Sequence, residues 1–289
     1  MKRPAELREN VRLHSFISLR VGGPARLFAE PGNPAAAAAL VRWASERAVE
    51  WTCLGGGTNL LLSDSGYDGL VVRTMALRGE AIVGTRARAA AGESLSALAW
   101  RVCERGLSGL EWACGIPGTV GGAVVMNAGT RDGETAEVLV EVESVGVGRA
   151  TRRPASDLRL GYRTSALLSR DLQEVITAAT FDLAPSTPER TLATARQILD
   201  ERARRLPHGA TAGCTFRNPC DGLPAGALLD RAGCKGLRVG DVRVSSLHAN
   251  FLINEGSENA ADVLELIEAM KRRVKEAFGV ELVEEIVIL

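Results

Sequence analysis

The sequence predicts a fold of mixed helices and strands divided into more than one compact unit, and three observations carry that prediction. Helix-period and strand-period apolar patterns alternate along the chain. Two glycine-rich segments interrupt them at 55–59 and 115–129, and the composition shifts at 184–189, where a loop passes into a strongly charged helix. With 289 residues and 46% hydrophobic side chains, the chain has ample apolar material for buried cores in two or three units.

Each element has a local cause. Asn33 followed by Pro34 is an N-cap with proline at the first helical position, and Leu40, Val41, Trp43 and Ala44 give the following helix its apolar face. Trp51-Thr52-Cys53-Leu54 is a short strand that ends abruptly in Gly55-Gly56-Gly57-Thr58-Asn59. Leu70-Val71-Val72-Arg73 and the alternating stretch 86–91 read as strands, and 94–105 reads as a helix closed by Gly106. Longer strands are expected at 138–147 and 174–183, with Pro154 and Gly161 marking the connection between them. At the composition shift, Ser186 with Glu189 matches a capping box while Thr187 with Pro188 offers a competing cap, for a helix that runs to about Leu206. The last helix starts near Ser257, carries Val263, Leu264, Ile267, Met270, Val274 and Phe278 at helical spacing, and stops at Gly279; 280–289 reads as a closing strand.

Thirty-five basic residues balance 35 acidic ones, so no overall field draws the chain to nucleic acid or to an anionic membrane. The start, MKRPAELREN, lacks the apolar run of a secretory leader, and no stretch approaches the roughly 18 apolar residues of a membrane span. A cytoplasmic protein is expected, without membrane insertion. The six cysteines, Cys53, Cys103, Cys114, Cys214, Cys220 and Cys234, show no C-x-x-C spacing and read mainly as reduced, half-buried small residues, Cys214 excepted.

Glycine makes up 31 residues, above the usual ~7%, and concentrates in specific loops. Residues without a β-carbon let several backbone N–H groups converge on an anion, so two such segments suggest a dinucleotide. Neither G-x-G-x-x-G nor a P-loop pattern is present. Taken singly, each segment is better explained as a tight turn; the pair together favours phosphate binding.

Several motifs occur together in a characteristic order. They are Ser18-x-Arg20-x-Gly22-Gly23, Gly55-Gly56-Gly57-Thr58-Asn59-Leu60, Gly115-Ile116-Pro117-Gly118-Thr119-Val120-Gly121-Gly122 and Gly161-Tyr162-Arg163-x-Ser165. Ala212-Gly213-Cys214-x-Phe216-x-Asn218-Pro219 and His248-Ala249-Asn250-Phe251 with Asn254 follow. In this set, from about residue 10 to the end, the chain resembles the shorter type of the UDP-N-acetylenolpyruvoylglucosamine reductases.

The resemblance implies an α+β fold: a two-part FAD-binding region of the vanillyl-alcohol oxidase (PCMH) type over 1–186, split near 70, and a smaller α+β substrate-binding domain over 187–278. Residues 279–289 would form a strand returning to the FAD-binding region. By similarity Gly55, Gly56, Gly57, Thr58, Asn59 and Leu60 wrap the FAD pyrophosphate. Gly115, Pro117, Gly118, Thr119, Gly121 and Gly122 line the flavin and adenine-side path, with side-chain contacts from Arg20 and Asn127.

The implied reaction has two stages: NADPH reduces FAD and leaves, then UDP-N-acetylglucosamine enolpyruvate takes a hydride from flavin N5 at C3. Arg163 would stabilise the charge that builds at C2 and the adjoining carboxylate, as a permanently charged fork suits a carboxylate or enolate. Glu285 matches the family's carboxy-terminal glutamate, although Glu284 beside it makes the register decisive; alternation puts Glu285 with Val283 on one face and Glu284 on the other. Tyr162, Arg202, Arg205 and Asn218 would contact the substrate, the two arginines at its diphosphate, and His248 would have a supporting structural role. A monomer is implied.

One departure stands out. Most members place a serine, the proton donor to C2, where this chain has Cys214, and the resemblance implies that role for the thiol. A thiol with reference pKa near 8.5 is a far stronger acid than an aliphatic hydroxyl, so the step is retained, with added sensitivity to alkylation and high pH. Two other readings share parts of the pattern: another FAD oxidase on the same scaffold, and a nucleotide-binding module without chemistry.

Overall fold

A computed structural model describes Pro4 and residues 6–289; the charged start read above begins in residues 1–3 and 5, which lie outside the described residues. The chain forms two compact units, each discontinuous in sequence. One comprises Met1–Glu9, Leu27–Gly56 and Gly69–Glu201, and the other Asn10–Arg26, Gly57–Asp68 and Arg202–Leu289. The packing units therefore do not follow the continuous boundary at 186 expected from composition: residues 10–26 and 57–68 belong with the carboxy-terminal part.

The first unit is built on a five-stranded antiparallel sheet, in the order Arg149–Pro154, Leu139–Gly146, Val175–Asp182, Arg86–Ala90, Glu80–Val83. Its central strand is buried along seven of its eight residues, as expected for a strand covered on both faces. A register shift at 176–178 reverses the alternation along the central strand, so that Val142 and Phe181 enter a core with Leu95, Leu98, Val102, Val120 and Val124 from the helices Leu95–Glu104 and Val120–Met126. Val145 and Val175 enter a second core with Leu40, Val41 and Trp43 from the helix Pro34–Glu46. A further sheet orders Arg8–Arg12, Pro24–Ala29, Tyr67–Arg73 and Trp51–Leu54, the last two parallel with Trp51 opposite Leu70.

The caps explain why helix starts are well placed by sequence. Asn33 Oδ1 accepts from Ala36 N at 2.9 Å, and Ser94 Oγ accepts from Ala97 N at 3.3 Å. At the charged helix Pro188–Arg205, Thr187 supplies the cap by accepting from Arg190 N at 3.4 Å, so the Thr187-Pro188 alternative prevails over the Ser186 box.

Two expectations need correction. The connection between the long strands contains a strand, Arg149–Pro154, which the apolar pattern missed because it has no apolar alternation. It is an edge strand held partly by ion pairs: Arg152 bridges Glu141 and Glu143, and Arg153 chelates Glu174. The closing strand over 280–289 shrinks to Val287–Ile288, because this stretch changes neighbours, with Glu284 bridged to Phe216 before Val287 pairs with Leu60.

The second unit has an antiparallel sheet of Arg238–Val239, Val242–Val244 and Leu252–Asn254. The helix Ala260–Phe278 packs on it through a face that buries Val263, Leu266, Ile267, Met270 and Val274. The helix Ala225–Arg231 packs on that helix in turn.

The Arg153–Glu174 pair gives a test of pH-dependent stability. Arg153 donates from Nε at 2.9 Å and from Nη2 at 2.5 Å, and Ser144 Oγ donates at 2.6 Å. The guanidinium contact, above all, holds the Glu174 carboxyl below its ordinary value. A depressed folded value contributes stability that is complete above the unfolded glutamate value near 4.3 and is lost as pH falls through the folded one. Glu174→Gln is therefore expected to be less stable by about 1–3 kcal/mol at pH 7 in denaturant unfolding. The gap should close as pH falls below about 4; a constant gap would contradict the assignment.

Candidate active site

In the first unit Gly55, which opens the first glycine-rich segment, lies against the second. The strand Trp51–Leu54 runs out into Gly55, where a β-carbon would lie 2.6 Å from Thr119 Oγ1. That same hydroxyl caps the helix Val120–Met126 by accepting from Gly122 N at 3.2 Å. Gly118 accepts from Leu95 N, Gly121 N donates to Ala91 O at 2.9 Å, and Gly115 N donates to Ser96 Oγ at 2.8 Å, which fixes the second segment to the helix Leu95–Glu104 and the strand before it. Pro117 is exposed.

Arg163 sits at the tip of a tight turn. Gly161 and Thr164 exchange N–H···O bonds of 3.1 Å, leaving Tyr162 and Arg163 between them. Arg163 has φ +52°, a left-handed conformation that costs a non-glycine residue energy and is retained where the surroundings enforce it. Its guanidinium donates to Asn127 O at 3.3 Å and Gly129 O at 2.5 Å, and lies 5.2 Å from the centre of the half-exposed Tyr162 ring.

Asn127 is completely buried. Its Nδ2 donates to Gly161 O and its Oδ1 accepts from Ala136 N, both at 2.9 Å. It therefore offers no surface for the side-chain cofactor contact expected from sequence; it ties the base of the Arg163 turn to the end of the second glycine segment.

The second unit gathers the remaining residues. Gly57 has φ +66°, and a β-carbon there would fall 2.0 Å from Phe16 O. Its carbonyl accepts from Ser18 N at 2.9 Å, so the loop is pinned to the turn that carries exposed Arg20, itself at φ +60°. Thr58 and Asn59 are half-buried; Asn59 Nδ2 donates to Glu285 O at 3.2 Å, and Leu60 pairs with Val287. Glu285 N donates to Thr215 O at 2.8 Å, which brings Glu285 beside the stretch carrying half-buried Cys214. Glu284, its neighbour, accepts from Lys271 Nζ at 2.8 Å. Asn218 is exposed and accepts from Ala225 N at 3.0 Å, while half-buried Arg202 and exposed Arg205 lie at the end of the charged helix. Burial and then the nearby Arg205 and Lys235 cations hold the His248 imidazole below its ordinary value.

The sequence reading left two buried asparagines without a role. Asn254 Nδ2 donates to Leu19 O and to Ser257 O, both at 2.8 Å, which steadies the Arg20 turn; Asn250 grips Phe216. Both lie in quoted motifs, and that placement is the signal that pointed to them. Among the described residues there is no cluster of His, Cys, Asp and Glu able to hold a metal ion, and no helix is long and apolar enough to cross a membrane. An open depression of about 670 Å³ in the first unit, lined by Glu111, Trp112, Arg131 and Arg190, includes none of the expected site residues, and its Arg131 is paired with Asp132 and Glu201.

FAD, which the resemblance calls for, fits the loop. Among the described residues none accepts from the N–H groups of Gly55 or Gly56, backbone donors of the kind a pyrophosphate uses. Gly57→Ala combines a strained φ with a clash against backbone, so it is expected to lose flavin absorbance on purification and to unfold at lower denaturant concentration. Normal yellow protein from this variant would count against the loop's role.

Comparisons with known proteins extend this reading. A family model described as FAD binding domain matches residues 25–148, and one described as UDP-N-acetylenolpyruvoylglucosamine reductase, C-terminal domain, matches residues 205–289. The UDP-N-acetylenolpyruvoylglucosamine reductase of Chlamydia trachomatis is 39% identical over 290 residues, covering 99% of this chain and 97% of the relative. That of Rubrobacter xylanophilus is 41% identical over 275 residues, covering 95% and 92%. The crystal structure of the Thermus caldophilus enzyme matches with a TM-score of 0.84 at 36% identity, over 98% of this chain and 99% of that one. A solvent-stable cholesterol oxidase shares the fold alone, with a TM-score of 0.50 at 16% identity over 63% of this chain and 39% of that one. The α+β fold with an FAD-binding region is thus the one the motifs implied, and the chain belongs to the UDP-N-acetylenolpyruvoylglucosamine reductase family.

Proposed function

We propose that the protein reduces UDP-N-acetylglucosamine enolpyruvate to UDP-N-acetylmuramate with electrons from NADPH, in peptidoglycan precursor synthesis. The observation that carries the reading is the Glu285 N to Thr215 O bond at 2.8 Å, which sets a carboxyl group and the Cys214 thiol on neighbouring stretches of one unit. FAD, when bound, supplies the electron relay, accepting from NADPH and delivering a hydride to the enolpyruvyl C3.

The remaining work falls to side chains. Hydride addition leaves negative charge at C2 and on the adjoining carboxylate, and a preorganised cation there lowers the barrier. Arg163 has that role, its turn held by Asn127 and its planar fork suited to a carboxylate or enolate. Glu285 polarises the same carboxylate, as an acid or through a water; the Lys271 ammonium is paired with Glu284, which supports the choice of Glu285. Cys214 gives its proton to C2, and the thiolate left behind is reprotonated from solvent before the next turnover. Hydride at C3 and proton at C2 together saturate the double bond.

Arg202 and Arg205 are assigned to the UDP diphosphate, and Tyr162 and Asn218 to the rest of the substrate. The cofactor falls to Arg20, the 55–60 loop and the 115–122 segment. The division into an FAD-binding region to 186 and a substrate-binding part over 187–278 is, on this reading, one of ligands rather than of packing.

NADPH oxidation that depends on the enolpyruvyl nucleotide is the test; oxidation without that dependence would instead favour another flavoenzyme activity. Cys214→Ala is expected to keep flavin reduction by NADPH but to lose roughly a hundredfold or more in turnover, the usual range for a general acid. Cys214→Ser should retain activity and become resistant to iodoacetamide. Turnover of the unsubstituted protein should fall at high pH as its thiol ionises, and that fall should be absent from Cys214→Ser. Near-normal turnover by Cys214→Ala would remove the thiol from the mechanism.

A further inference from the structure

We infer that Asn250 is a positioning residue for the protonation step, holding Cys214 and Glu285 in one register by gripping the peptide groups between them. The inference rests on the roles given above to Cys214 and Glu285.

The stretch 214–217 lies in no regular strand. It makes a single bridge on each side, Cys214 opposite Phe251 and Phe216 opposite Glu284. On the Glu284 side the bonds flank the bridge: Arg217 N donates to Val283 O at 2.9 Å, and Glu285 N to Thr215 O at 2.8 Å. In that antiparallel pattern the N–H and C=O of Phe216 point to the other side, where a sheet would supply another strand.

Asn250 takes that place with its side chain. Oδ1 accepts from Phe216 N at 2.9 Å, and Nδ2 donates to Phe216 O at 2.8 Å. The residue's own carbonyl accepts from Thr215 N at 2.8 Å. Three of the four polar groups of the Thr215–Phe216 backbone are thus bound to one residue, while the fourth, Thr215 O, holds Glu285. Thr215, Phe216 and Asn250 are each at most 2% exposed, so water cannot substitute. Asn250 is itself fixed, since its N–H donates to His248 Nδ1 at 3.2 Å and the imidazole packs edge-on to Phe251.

A carboxamide is the short side chain that offers one donor and one acceptor in this arrangement. Aspartate would keep the bond to Phe216 N but set a second oxygen against Phe216 O, and alanine would leave both groups buried and unpaired. With the grip lost, the 214–217 stretch can slide against 283–286, and the acid and the carboxylate lose their mutual register.

Single-turnover absorbance of the flavin in the holoenzyme separates this role from a general structural one. Asn250→Asp and Asn250→Ala should be reduced by NADPH within twofold of the unsubstituted rate. Reoxidation by the enolpyruvyl nucleotide should slow at least tenfold, with a larger solvent deuterium isotope effect as proton delivery becomes limiting. Unchanged reoxidation, or an equal fall in both half-reactions, would overturn the inference. Should neither variant retain FAD, amide exchange of the unsubstituted holoenzyme decides: 214–217 is expected to be protected together with 283–287, and free exchange at 214–217 would overturn it. Failure of the unsubstituted enzyme to reoxidise with the nucleotide would overturn the proposed function, and this inference with it.

Discussion

A buried backbone N–H or C=O must find a partner, and in this protein that constraint falls hardest on the loops that carry the chemistry. Regular strands and helices satisfy their own peptides; the turn at 161–164, the turn at Arg20 and the stretch 214–217 do not. Three buried asparagines meet the need. Asn127 ties Gly161 O to Ala136 N, Asn254 reaches Leu19 O and Ser257 O, and Asn250 takes both polar groups of Phe216. The carboxamide suits the task because it presents donor and acceptor on one rigid plane without charge, and so can be buried at modest cost. The residues given chemical roles, Arg163, Arg20 and Cys214, each lie within two positions of a peptide group held this way.

This arrangement also explains what the sequence could and could not convey. Helix starts were legible because a cap is a local code: Asn33 and Ser94 act on residues three positions away, and the choice between Ser186 and Thr187 needed only one contact to resolve. The strand Arg149–Pro154 was illegible because its support is non-local, from Glu141 on the neighbouring strand and Glu174 just before the central one, paired with arginines that read as a solvated run. The closing strand was over-read for a related reason, since alternation over 280–289 is real but its neighbours change midway. The glycine segments and the motif residues stood out by type and order. Asn127 stood out too, but its residue type could not tell a ligand contact from a buried tie, and only its complete burial separates the two.

The zero net charge takes on a specific meaning in this setting. Many charges are used within the units, as in Arg73 with Glu30, Arg153 with Glu174 and Lys271 with Glu284. Two anionic ligands, a flavin dinucleotide and a nucleotide diphosphate, then have to be held by backbone donors and by a few individual arginines rather than by a general positive field. On the proposed assignment, a loop such as 55–57 would do this without adding charge, which leaves the protein no broad attraction for other polyanions.

The six cysteines separate by the same reasoning about environment. Burial pushes the Cys53 thiol up to about 12 and raises that of Cys234, while Cys114 is raised by its contact with the Cys103 thiol and then by burial. Cys103, Cys114 and Cys234 are buried, and a thiol so placed stays protonated and out of reach of solvent, so it is chemically inert. Cys214, half-buried like Cys53 and less exposed than Cys220, lies on a stretch of irregular backbone, next to peptides held from both sides. An acid that must release a proton to a substrate and recover it from water needs partial exposure to do both, and needs its position set by something other than its own packing. On the proposed role, that combination separates Cys214 from the buried thiols, and the rigidity of residues 214–217, rather than the acidity of sulfur alone, is the property on which proton delivery would depend.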